Sequence, residues 1–165
     1  EAGAEQWLEG VKANLARKPQ GNDRAQVKAV KEGVCDLAIG NTYYYGKMLH
    51  NDKDPEQIEW ANAVNLVFPN QADRGAHMNI TGAAVAKYAP NKDNAVKLLE
   101  FLSDSKAQEM YAQINYEFPI KPGTPVTGLV KERMSNFKAD TLSLATVAEN
   151  RSKAAKLVDK VQFDN

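Results

Sequence analysis

Short apolar runs bounded by glycine, alternating with amphipathic helical stretches, constrain this chain most. Residues 4–15 place Trp7, Leu8, Val11 and Leu15 at helical spacing, and Lys18-Pro19-Gln20-Gly21 stops that helix. Asp23, with Gln26 three residues on, has a capping-box pattern and opens a helix that ends at Gly33. The run 35–39 then predicts a short strand closed by Gly40. Further on, the pattern predicts a helix holding Tyr43, Tyr44, Tyr45, Met48 and Leu49, and another over 55–63. A strand is expected at 64–68 and a strand with a helical tail at 78–88. Helices are expected from Asn91-Lys92-Asp93 through Leu102, from Ser105 through Ile114, and over 144–161, with an extended, turn-rich stretch from Phe118 to Gly123. Helices alternating with short strands define the α/β class. The 165 residues suffice for a substantial core.

Charge and composition exclude several function classes. Basic and acidic residues balance at 21 each, which argues against a dedicated nucleic-acid binder and against attraction to an anionic membrane surface. No apolar stretch is long enough to span a bilayer, so an integral membrane protein is not expected. The first residues show no leader pattern and read as a mature interior segment. Cys35 cannot form an internal disulfide, because it is the single cysteine; it reads as a small buried hydrophobe. Phosphate-binding glycine loops, nucleophile elbows and zinc-spaced Cys/His clusters are absent from the sequence, so no enzyme is expected.

The segment Ala38-Ile39-Gly40-Asn41-Thr42-Tyr43-Tyr44-Tyr45 carries the most chemistry. In α/β sheets ligands sit beyond the carboxyl ends of strands, and a helix start there offers free N–H groups to an anion. Phenolate is a hard anionic donor suited to a hard, highly charged cation such as Fe3+, which displaces the phenol proton. Adjacent helical residues point about 100° apart, so two rings converge on one ion only near a helix end. The third ring is expected to point into packing. Ordinary amphipathic contacts are the alternative for all three rings. Two further stretches stand out. Arg17 to Arg24 leads into a helix start where Asn22 could donate to an anion, or is simply a solvated turn. Arg74-Gly75-Ala76-His77-Met78-Asn79 holds a histidine that fits a metal less well than a structural hydrogen bond.

Arg17-Lys18-Pro19-Gln20-Gly21-Asn22-Asp23 and Asp36 through Tyr44 resemble the ferric-iron-binding proteins of bacterial ABC importers. Residues 74–82, 89–95 and Asn115-Tyr116-Glu117-Phe118-Pro119 are similar to other stretches of that family. The resemblance covers nearly the whole chain but only the C-terminal half of a family member. It implies part of a type II periplasmic-binding-protein fold, two lobes closing at a hinge. It implies that Tyr43 and Tyr44 ligate the iron and that Asn22 and Asn41 help hold a synergistic carbonate or phosphate. It implies residues 1–73 and 125–165 in one lobe, with the double tyrosine, and 74–124 in the other. The remaining ligands belong to the N-terminal half, absent here, so this piece is expected to need that complementary segment. The implied function is periplasmic capture of ferric iron and delivery to an ABC permease. The alternatives are a receptor for a polyamine, sugar or oxyanion, and an enzyme on the same bilobal fold, for which His77 is the available base.

Overall fold

The computed structural model describes residues 2–164. Its elements run α1 (Ala2–Ala13), α2 (Asp23–Lys31), α3 (Thr42–Leu49), α4 (Pro55–Asn62), α5 (Lys92–Leu102), α6 (Ser105–Met110) and α7 (Leu144–Val161). Two π-helical turns, Tyr111–Asn115 and Val130–Met134, complete the regular structure; the first continues α6. No helix among the described residues is long and apolar enough to cross a membrane.

The core explains how α3 is held. Tyr45 and Met48 of α3, Ala61 of α4, and Val130 and Met134 form one buried cluster. Val27, Leu49, Trp60, Phe68, Tyr116 and Phe118 pack around it. Tyr45 thus turns inward, as expected for the third ring, and its hydroxyl accepts a hydrogen bond from Arg133 at 3.2 Å. A phenol buried this deeply needs such a partner. Gly46 sits where α3 meets the Tyr116 ring: a Cβ there would lie 2.3 Å from Tyr116 Cγ. We expect Gly46→Ala to lower stability in urea by about 1–3 kcal/mol, the usual cost of overpacking; an unchanged midpoint would show that Tyr116 yields freely.

α1 and α7 pack against each other. Lys12 donates to the Val161 carbonyl at 2.7 Å, and Lys160 pairs with Glu5 at 2.5 Å. The Ser143 hydroxyl caps α7 by accepting from the Thr146 N–H.

Four expectations are corrected. The strands at 35–39, 64–68 and 78–88 do not form; among the described residues the one β contact is an isolated parallel bridge between Ala76 and Ala139. A strand exists only with a neighbour to complete its hydrogen-bond ladder, and here the apolar side chains stay open: Leu37 is 84% exposed, Ile39 85% and Val67 77%. The helical tail at 78–88 is likewise absent. α2 is capped by Asn22, whose side-chain oxygen accepts from the Ala25 N–H at 3.1 Å, and not by Asp23. The Gln26 amide reaches the Gln20 and Asn22 carbonyls instead of closing a capping box. Residues 128–134, where the sequence pattern predicts no element, are helical and supply Val130 and Met134 to the core. Cys35 is half-buried rather than enclosed.

Candidate functional site

The site is built where two helix starts meet. α2 begins after Asn22 and α3 after Asn41. Relieved of capping duty, Asp23 reaches across: one carboxylate oxygen accepts from the Asn41 backbone N–H at 2.7 Å and from its side-chain amide at 3.1 Å. Gly40 permits this approach, since a Cβ on it would lie 3.3 Å from the same oxygen. The Asn41 side-chain oxygen in turn accepts from the Asn79 amide at 2.9 Å. One Asn41 amide hydrogen is left for a ligand. Asn22 has committed its oxygen to the cap, so its amide N–H groups are what it can offer. We expect Asp23→Ala to cost about 1–3 kcal/mol in a thermal or urea melt, because two donors at a helix start lose a charged acceptor. Wild-type stability would mean that water replaces the carboxylate without loss.

Tyr43 and Tyr44 are the second and third residues of α3, in the first turn where convergence is possible. Their ring centroids lie 4.2 Å apart with a 31° tilt. Each ring carries a cation: the Arg24 guanidinium is 5.1 Å from the Tyr44 centroid, and Lys47 Nζ is 5.1 Å from the Tyr43 centroid.

Tyr43 is the perturbed group. Its phenol is pushed up from 10.0 to about 12, first by the adjacent Tyr44 hydroxyl, then by burial, then by the charges of Tyr44, Asp23 and Glu117. Glu117 belongs to a second polar knot, accepting from the Thr81 hydroxyl at 2.7 Å and the Asn115 amide at 3.0 Å. The tyrosines therefore lie in a region rich in acceptor oxygens, which suits a hard cation better than a free phenolate. In alkaline titration of the metal-free chain we expect Tyr43 to ionise near pH 12, and burial to delay Tyr116 as well. A Tyr43 phenol that titrates near 10 would contradict the close Tyr43–Tyr44 pairing.

The expected site residues Tyr43, Tyr44, Asn22 and Asn41 lie at the starts of α2 and α3, which the Asp23–Asn41 hydrogen bonds bring together. His77 is exposed. His50 is structural: its Nδ1 lies 3.0 Å from the Gly46 carbonyl and its ring stacks on Tyr116. Sequence reasoning missed the roles of Asp23, Arg24, Lys47, Asn79 and Glu117. The available signal was their membership of the same polar stretches as the asparagines and tyrosines.

No family profile matches the chain. Iron uptake protein A1 of Synechocystis sp. is 44% identical over 154 residues, covering 93% of this chain and 42% of its own length. The Mannheimia haemolytica ferric iron-binding protein A in an open conformation superposes with a TM-score of 0.89 at 52% identity, over all of this chain and 51% of that one. A Trichodesmium protein in complex with iron and citrate ligands gives 0.88 at 40% identity, over 98% and 51%. This chain thus spans about half the length of the relatives it matches. The neighbours share the type II periplasmic-binding-protein fold, and this chain superposes on about half of each. By sequence and by fold the chain is similar to ferric-iron-binding proteins over about half of their length.

Proposed function

We propose that this chain supplies two of the ligands of a ferric-iron receptor, with Tyr43 and Tyr44 binding Fe3+ as phenolates. The observation that carries the reading is the convergence of the two rings at the start of α3. The site lies between two helix starts that also favour negative charge. An exogenous anion completes the iron shell, held by the amide hydrogens of Asn22 and Asn41 and the N-terminal N–H groups of α2 and α3. Carbonate, phosphate and citrate all fit that chemistry. The complete receptor works in the periplasm and passes its iron to an ABC permease, with residues 1–73 and 125–165 in one lobe and 74–124 in the other. It is a binding protein rather than a catalyst: cleft closure slows iron loss, and docking to the permease favours opening. The complementary N-terminal segment contributes the remaining ligands.

Iron binding on this reading displaces two phenol protons. Because Tyr43 holds its proton up to about pH 12, affinity rises with pH through the whole physiological range and falls on acidification. Equilibrium dialysis at several pH values, with ferric citrate set against putrescine, glucose and phosphonate, tests both points. Retention of iron that increases with pH is expected. Retention of an organic solute in place of iron would overturn the reading.

A further inference from the structure

Among the described residues, one cation beside the tyrosine pair has no ion-pair partner. Arg24 is the second residue of α2, and its guanidinium lies over the Tyr44 ring at 5.1 Å. Its Nε–H is buried and finds no hydrogen-bond acceptor among the described residues. Among those residues no carboxylate lies within ion-pair distance of it either. The nearest acid in sequence, Asp23, is engaged with Asn41.

A buried donor without an acceptor costs free energy, and a cation partly stripped of water interacts more strongly with whatever charge it faces. A neutral phenol offers Arg24 only the weak negative face of its ring. A phenolate carries a full negative charge, centred on its oxygen and partly delocalised into the same ring. The interaction therefore strengthens when Tyr44 exchanges its proton for a metal ion.

We propose that Arg24 is a positioning and charge-setting residue of the site, the counter-cation of the Tyr44 phenolate in the iron-bound state. This rests on the reading of Tyr43 and Tyr44 as ligands. Arg24 does not touch the metal; it acts through Tyr44 by holding the ring in place and lowering the energy of the electrons that the phenolate donates.

The readout is the colour of the iron complex. A cation beside the phenolate raises the energy of phenolate-to-iron charge transfer. Arg24→Gln should therefore move the visible band to longer wavelength by roughly 10–30 nm, the scale of unit charges a few ångströms apart near a protein surface. Arg24→Lys should return it most of the way. Far-UV circular dichroism checks that each variant folds, and Arg24→Met, a neutral chain of similar reach, replaces Arg24→Gln if that variant does not. A band unmoved in a folded neutral variant would overturn the role of Arg24 alone. An equal shift in Arg24→Lys would make the contact one of packing and overturn the charge-setting role. Absence of any band in the unaltered chain would overturn the iron reading itself.

Discussion

Replacing Tyr43 and Tyr44 together by phenylalanine should weaken iron retention by more than about a hundredfold while leaving the fold intact. Loss of a partner outside the metal's own ligands already costs about 10–100-fold, and these substitutions remove two direct donors. The fold should tolerate them because both rings lie outside the buried cluster that Tyr45, Met48, Ala61, Val130 and Met134 form. Phenylalanine keeps the ring contact between the two side chains, 4.2 Å between centroids, and deletes only the hydroxyls. Competition with citrate measures the retention, and a thermal melt measures the fold. Tyr45→Phe is the informative control: it removes a hydroxyl that bonds Arg133 within the core, so it should lower stability slightly and leave iron unaffected. A double variant that holds iron as firmly as the parent would mean that the tyrosines are packing groups.

The second large effect concerns the complementary half. Leu37, Ile39, Val67, Tyr88 and Ile120 are each more than three-quarters exposed, and Leu37, Ile39 and Val67 lie on segments with neither helix nor ladder partner. Leu37 and Ile39 lie two residues apart on one such segment, and apolar side chains left open there offer a surface that another structure can cover. We expect the first half of the Mannheimia haemolytica protein, added in trans, to form a one-to-one complex with this chain. Burying each of these side chains contributes about 1.5–3 kcal/mol, so the complex should unfold with a midpoint many degrees above that of the chain alone. Iron affinity should rise with it, since open coordination positions then take protein ligands in place of water. Gel filtration and calorimetry decide the matter. A chain that unfolds cooperatively at the same temperature with and without the added half would contradict the proposal of a complementary segment.

The helices were legible in the sequence because their signals are local. The pattern over 144–161 marks α7, and Pro55 marks the start of α4. The tyrosine triplet was legible for the same reason: position in a first turn decides that Tyr43 and Tyr44 converge while Tyr45 turns inward. The strands failed because the apolar runs at 35–39 and 64–68 specify extended backbone but not the partner that a sheet requires. The 128–134 helix was hidden by Pro122, Gly123 and Pro125, whose turn chemistry masks the short apolar run that follows. The shift of the α2 cap by one residue had the largest consequence. It frees Asp23 to bond Asn41, a contact 18 residues away in sequence, and Asn41 then meets Asn79 a further 38 residues on. Neither contact leaves a periodic trace, so the network that orients the site became visible only in three dimensions.

The most direct test is an absorption titration of this chain with ferric citrate, run beside the Tyr43→Phe/Tyr44→Phe variant. Tyrosinate bound to ferric iron gives a broad visible charge-transfer band. A red-orange band that saturates with iron in the parent and is absent from the variant is the predicted result. A parent that stays colourless, or a variant that colours equally, would contradict the assignment of Tyr43 and Tyr44 as the iron ligands.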